Sequence, residues 1–280
     1  MKYKILLSFL ILTNLAFAVS AQQSKLTISS EAEMKADMEL GPCKGRKERR
    51  EAVKKLFLKM GAAESDIVFD KIDDVENVVV TKKGKTDETV VIGAHFDKTE
   101  TGCGAIDNWT GIVIIANIYR TMRELTTQKT YKFVGFDKEE EGLLGSDAMA
   151  KNIPKEKRAG YCAMVNFDSF GFTYPQAMRN ISSDSLLALA KVVSEEMKMP
   201  FAKAAIEFAS SDSESFRTRD IPAISFHGLD NQWQNYLHNP NDKLSKVNMQ
   251  SVYFGYRHGL VFTSKIENTP CDAFRKDKKK

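Results

Sequence analysis

Two histidines and a group of carboxylates stand where they could hold metal. The stretch VVIGAHFDKTETGCGAIDNWTG, Val90 to Gly111, carries His95, Asp97 and Asp107 in a chain with only four histidines. Further along, Glu139 and Glu140 follow the run YKFVGFDK, Asp168 closes AMVNFD, and His238 lies in NYLHNPNDKLSKVN. Imidazole nitrogens with carboxylate oxygens suit Zn2+, which takes such donors in catalytic sites that leave a position open for water. Two imidazoles and three carboxylates suffice for a pair of ions. Three carboxylates and a hydroxide, about −4, offset about +4 from two zinc ions, so the site buries no uncompensated charge. Without metal the same carboxylates repel one another and their pKa values rise.

These groups meet only if the elements carrying them end at one edge. The run Val90–Ile92 reads as a strand covered on both faces, as in α/β proteins. That places His95 and Asp97 at its carboxyl end, where open α/β sheets bind ligands. Around it the chain alternates strand and helix. We expect a helix from Arg46 to Met60, an edge hairpin from Ile67 to Asp70 and Asn77 to Thr81, and a central strand from Thr89 to Ala94. A helix from Trp109 to Leu125, a strand from Tyr131 to Phe136, a helix from Gly142 to Ala150 and a strand from Cys162 to Phe167 follow. Then come a helix from Ser183 to Met197, a strand from Phe201 to Phe208, a short helix from Ser213 to Arg219, a strand from Ala223 to Phe226 and a closing helix from Val247 to Ile266. The stretches from Tyr174 to Asn180 and from His227 to Val247 read as long, functional loops.

The segments HFD, GAIDNWTG, FDKEEEGLLGS, NFDSFG and HNPNDKLSKV occur in an order and spacing that resemble the di-zinc aminopeptidase family of M28 metallopeptidases, typified by the bacterial leucine aminopeptidases of Vibrio and Streptomyces. The resemblance runs through nearly all of the mature chain. It implies one α/β domain of zinc-exopeptidase type, with a mixed, mostly parallel sheet of about eight strands flanked by helices. Carried over by position, His95 and Asp168 would hold one zinc, Glu140 and His238 the other, and Asp107 would bridge them. Glu139 matches the general base and Asp97 the partner that orients His95. A cis peptide would fall at Asp107-Asn108. The implied reaction is hydrolysis of the peptide bond next to a free amino terminus, with Glu139 taking a proton from water and giving it to the leaving amine.

The chain departs from the family at two places. In SSDSESFRTRDIPAISF, Ser213 stands where many relatives have histidine after the aspartate, which puts the role of Asp212 in question. Some relatives have tyrosine directly before the last histidine ligand; here that residue is Leu237, and Tyr236 is the candidate oxyanion donor. Glutaminyl cyclases share the fold and a related metal site and form the alternative reading, but EEEGLLGS favours the peptidase. A catalytically inactive binding homologue is a third reading, disfavoured because no ligand is missing.

Bulk properties set the context. At 280 residues and 42% hydrophobic content the chain can bury a sizeable core. Residues 1–21 read as a secretory signal peptide, with Lys2 and Lys4 before a short apolar run and small residues at Val19-Ser20-Ala21. Residues 22–280 then form one zinc-peptidase domain with a basic, disordered tail over 275–280. We expect an exported monomer, periplasmic or extracellular, with no membrane span after cleavage. Removing Lys2 and Lys4 takes the net charge from +4 to about +2, too little for a nucleic-acid partner. Lys44, Arg46, Lys47, Arg49, Arg50, Lys54 and Lys55 read as a solvated helix face.

Four cysteines in an exported chain permit disulfides. Because domain termini often lie close together, Cys43 is expected to pair with Cys271, leaving Cys103 and Cys162 reduced and buried. His227 and His258 read as structural, and Glu141 as a solvated carboxylate. Phe172, Tyr174, Trp233 and Tyr236 suggest a pocket for an apolar terminal side chain.

Overall fold

In the computed structural model, which describes residues 26–204 and 210–275, the apolar runs become an eight-stranded sheet. Its strands are β1 (Ile67–Ile72), β2 (Val75–Lys82), β3 (Thr89–His95), β4 (Thr130–Phe136), β5 (Tyr161–Phe167), β6 (Gln176–Met178), β7 (Lys203–Ala204) and β8 (Ala223–His227). Their order is β1-β2-β4-β3-β5-β8-β6-β7. The centre is parallel, from β4 through β3 and β5 to β8, and the β1–β2 hairpin joins antiparallel at one side. The helices are α1 (Glu31–Met38), α2 (Arg46–Lys59), α3 (Thr110–Met122), α4 (Leu144–Lys151), α5 (Asp184–Glu196), α6 (Ser213–Arg217) and α7 (Met249–Glu267).

Side-chain alternation divides the core into two layers. Val90, Ile92 and Ala94 of β3 face a large cluster with residues of α1, α2, α3, α5 and α7, while Val91 faces a smaller one with residues of α4 and α6. Such two-sided cover explains why β3 is buried at every position and apolar between its polar ends, Thr89 and His95. α3 is buried nearly all round, so its run of Ile and Val reads as core rather than as an amphipathic stripe.

Sequence and structure differ at several places. Helix α1 has no expected counterpart: its eight residues show little apolar periodicity, and it is fixed by a capping box in which Ser30 and Glu33 exchange hydrogen bonds. The Tyr174 to Asn180 loop contains β6, three residues that become a strand by pairing with the end of β8 on one side and with β7 on the other. α4 starts at Leu144 because Gly142 and Leu143 take positive φ values of 104° and 63°. Of the strand expected over Phe201 to Phe208, Lys203–Ala204 forms and Phe201 and Ala202 do not join it, while residues 205–208, like the expected signal peptide and tail residues 276–280, lie outside the described residues.

The disulfide expectation is overturned. Cys43 pairs with Cys103, and Cys162 pairs with Cys271. The termini do not meet as supposed, because Cys43 precedes α2 at the carboxyl edge of the sheet, where the loop after β3 returns. α7 instead carries Cys271 to the opposite end, beside the start of β5, with Cα atoms of Cys162 and Cys271 4.5 Å apart. Among the described residues no helix is long and apolar enough to cross a membrane.

Candidate metal centre

The five expected ligands come from four connections at the carboxyl edge of the sheet, two of them from the one between β3 and α3. His95 ends β3, Asp107 lies on the turn into α3, Glu140 follows β4, Asp168 follows β5, and His238 lies in the loop after β8. The structure brings all five together. Asp107 stands at the centre, its two oxygens facing opposite ways: Oδ1 is 3.0 Å from His95 Nε2, and Oδ2 is 3.1 Å from His238 Nε2. Asp168 Oδ1 lies 3.5 Å from the first imidazole and Glu140 Oε2 3.3 Å from the second. His95–Asp107–Asp168 and Asp107–Glu140–His238 are thus two three-donor groups sharing one carboxylate, each with its atoms within 4.8 Å of one another.

These distances can be tested against zinc. Tetrahedral donors bonded at roughly 2.0–2.1 Å lie about 3.3 Å apart, which the four contacts bracket. Glu140 Oε1 is buried without a hydrogen-bond partner, a further atom suited to a cation. The residues present fit two ions. A third group, Glu88 with Cys162 and Cys271, does not, because its sulfurs are bonded to each other.

Electrostatics point the same way. Burial pushes Glu139 well above the usual carboxylate range, and burial likewise raises Glu140. His95 is wholly buried, which opposes its charge, yet the Glu139 carboxylate and its contacts with Asp107, Asp168 and Asp97 raise it well above an ordinary imidazole. His238 is raised to about 10 by hydrogen bonds to Asp107 and Glu140.

Surrounding groups hold the donors in place. Asp97 lies 3.3 Å from His95 Nδ1 and also accepts the backbone N–H groups of Glu139 and Glu140, each at 3.1 Å, so one carboxylate spans two loops. Asn108 accepts from the Ser169 N–H and donates to the Phe167 carbonyl, fastening the Asp107 turn to the end of β5. The Ser211 hydroxyl donates to Asp168 at 2.6 Å. The peptide between Asp107 and Asn108 is cis, and His238, Lys138 and Ser169 have φ of 58°, 55° and 62°. Non-glycine residues in this region are uncommon, and here they are the expected ligand His238 and the neighbours of Glu139 and Asp168.

Sequence reasoning missed two groups. Asp242, inside the quoted HNPNDKLSKV segment, accepts from the Ile106 and Asp107 N–H groups and is raised to about 6, chiefly by burial. Arg49 is not part of a solvated face but fully buried. Its spacing to Val53, Leu56 and Phe57 on the buried face of α2 was the available signal. Asp212 is buried beside the site and raised to about 7, chiefly by burial, while Ser213 turns aside to bond Ser225. His227 and His258 are buried and lowered to about 4 by that burial, as structural histidines would be. Glu141 is exposed and pairs with Lys138.

Next to the centre, Ile106, Leu229 and Leu237 form an apolar cluster against which Phe172, Trp233 and Tyr236 pack. The rings of Phe172 and Tyr236 are 4.8 Å apart. Tyr174 is not part of this cluster and stacks on Phe254.

Comparison with known proteins places the site in context. The model of peptidase family M28 matches residues 77–253, which span β2 to the first turns of α7. A probable leucine aminopeptidase of Arthroderma otae is 27% identical over 215 residues, covering 69% of this chain and 58% of that protein. The aminopeptidase LapA of Legionella pneumophila superposes with a TM-score of 0.71 at 20% identity, over 89% of this chain and 78% of that one. A glutaminyl cyclase of an Acidobacteriales bacterium also gives 0.71, at 15% identity, over 88% of this chain and 97% of that one. The two structural likenesses show the fold alone. The chain spans about three fifths or less of the first curated relatives it matches.

Proposed function

The chain belongs to peptidase family M28, and from that premise we propose that it is a di-zinc aminopeptidase, exported and acting on peptides with a free amino terminus. The observation that carries this reading is Asp107, whose two oxygens each face a different histidine. His95 and Asp168 would hold one ion and His238 and Glu140 the other, with Asp107 between them.

A bound zinc pair supplies Lewis-acid polarisation of the scissile carbonyl and lowers the pKa of water. Glu139, largely buried and fixed by its backbone bond to Asp97, takes the proton of the attacking water. The same carboxyl then protonates the leaving amine. Ile106, Leu229, Leu237, Phe172 and Trp233 would receive an apolar terminal side chain and exclude water around it. Tyr236 would donate its hydroxyl to the developing oxyanion; Tyr236→Phe should then lower kcat while KM stays close to wild type.

Export is supported by the signal-like residues 1–21 and by two disulfides, which persist in oxidising compartments. We place the protein there as a monomer, with peptides rather than nucleic acid as partners. The activity is tested by a screen of aminoacyl amides and amino-terminal glutamine peptides, with and without a chelator. Chelator-sensitive release of free amino acids is expected; cyclisation without release would establish the glutaminyl cyclase reading, and neither reaction the binding homologue.

A further inference from the structure

The loop over 96–104 joins β3, with His95, to the turn that carries Asp107, and it forms no strand or regular helix of its own. Its position is set from outside. Arg49, buried on α2, donates through Nε to the Phe96 carbonyl, through Nη1 to the Pro42 and Cys103 carbonyls at 3.2 and 2.9 Å, and through Nη2 to the Gly104 carbonyl at 2.9 Å. The residue after Pro42 is Cys43, bonded to Cys103. A guanidinium and a disulfide therefore join the same two segments. The loop in turn grips the one bearing His238: the Thr101 hydroxyl donates to the His238 carbonyl at 3.0 Å, and the Cys103 N–H donates to the Asp242 carbonyl at 2.7 Å.

We propose that Arg49 and the Cys43–Cys103 disulfide form one clamp that positions Asp107 and His238 for metal, and that reducing the disulfide loosens it. The proposal rests on the di-zinc reading above. Arg49 is a positioning residue: it meets backbone carbonyls and no ligand side chain directly. Only a planar fork can serve four carbonyls at once, so lysine cannot replace it. The disulfide is the accessible half of the clamp. Cys43 is exposed, whereas Cys162 and Cys271 are buried at the other end of the sheet. A dithiol such as dithiothreitol attacks one sulfur, the S–S bond breaks, Cys43 and Cys103 become thiols, and the reductant leaves as its cyclic disulfide.

The two disulfides separate positioning from general stability. Cys162–Cys271 closes 109 residues and Cys43–Cys103 only 60, so chain entropy makes the former the greater stabiliser. The clamp predicts the reverse order for metal. The test measures zinc release from the full-length protein to a chromophoric chelator, together with hydrogen exchange over 96–106 in the metal-free protein. Opening Cys43–Cys103 with dithiothreitol, Cys43→Ser/Cys103→Ser, and Arg49→Met should each speed release roughly 10–100-fold, the usual effect of losing an outer partner of a metal site. Exchange over 96–106 should rise with them, and Arg49→Lys should not restore either readout. Cys162→Ser/Cys271→Ser should lower the melting temperature yet release zinc at the wild-type rate. Unchanged release and exchange with Cys43–Cys103 open would overturn the proposal, as would equal acceleration from both disulfides. If the wild type holds no zinc, the metal reading fails by itself and the exchange measurement decides the clamp. Should Arg49→Met not fold, the cysteine pair decides it.

Discussion

Asp97→Asn tests whether one carboxylate organises both halves of the site. Three groups face that carboxylate: the Glu139 and Glu140 N–H groups, each at 3.1 Å, and His95 Nδ1 at 3.3 Å. Asparagine offers one acceptor oxygen and an NH2, so in either orientation an N–H donor confronts another donor. Losing one hydrogen bond to a charged group costs about 1.5–3 kcal/mol, which corresponds to roughly 10- to 150-fold in an equilibrium constant. The loop after β4 is also held through Asn77, which donates to the Gly145 carbonyl and accepts from the Asp137 N–H. The fold should therefore survive, with the loss appearing at the site. Zinc affinity by chelator competition and kcat/KM on leucine amide should each fall by that factor, while the metal-free protein melts within a few degrees of wild type. Wild-type affinity and turnover in Asp97→Asn would refute the reasoning.

The adjacent glutamates should separate cleanly. If Glu140 is the anionic ligand proposed above, Glu140→Gln should lower zinc occupancy and melting temperature together, because bound metal stabilises only the folded state. Glu139→Gln should keep both and lose turnover by about 10²–10⁴-fold with KM little changed; the opposite pattern would exchange their roles. Phe172→Ala should raise KM for leucine amide more than for alanine amide, by about tenfold for a contact worth roughly 1–3 kcal/mol; equal changes would remove Phe172 from the pocket. His258 gives the fold a pH dependence. Its pKa is lowered to about 4 by burial, so the unfolded chain takes up a proton below about 6.5 that the folded chain refuses. Stability is thus lost as pH falls from about 6.5 to about 4, by roughly 3 kcal/mol from this group. Urea midpoints at both ends of that window should converge more closely in His258→Gln than in wild type, and an unchanged difference would assign the loss elsewhere.

What the sequence disclosed and what it hid divide along physical lines. Strands β3, β4 and β5 were legible because two-sided burial demands uninterrupted apolar residues, and the polar groups that end them had to lie at one edge. His95, Asp107, Glu140, Asp168 and His238 were assembled on that logic together with family resemblance, and the structure brings them within contact of one another. β6 and α1 were not legible, since each depends on a tertiary partner or a cap rather than on periodicity. Arg49 reads as a surface charge by residue type alone, and only its place on the buried face of α2 points the other way. The disulfides were misread for a related reason: proximity of chain ends says nothing about which edge of the sheet each cysteine reaches.

The central claim is tested most directly by mass spectrometry of a leucine-initiated peptide incubated with the purified protein, before chelation, after it, and after zinc is returned. The account predicts successive loss of single residues from the amino terminus, abolished by the chelator and restored by zinc. Cleavage that persists in the chelated protein, or loss of ammonia from a glutamine-initiated peptide with no residue released from the leucine one, would contradict it.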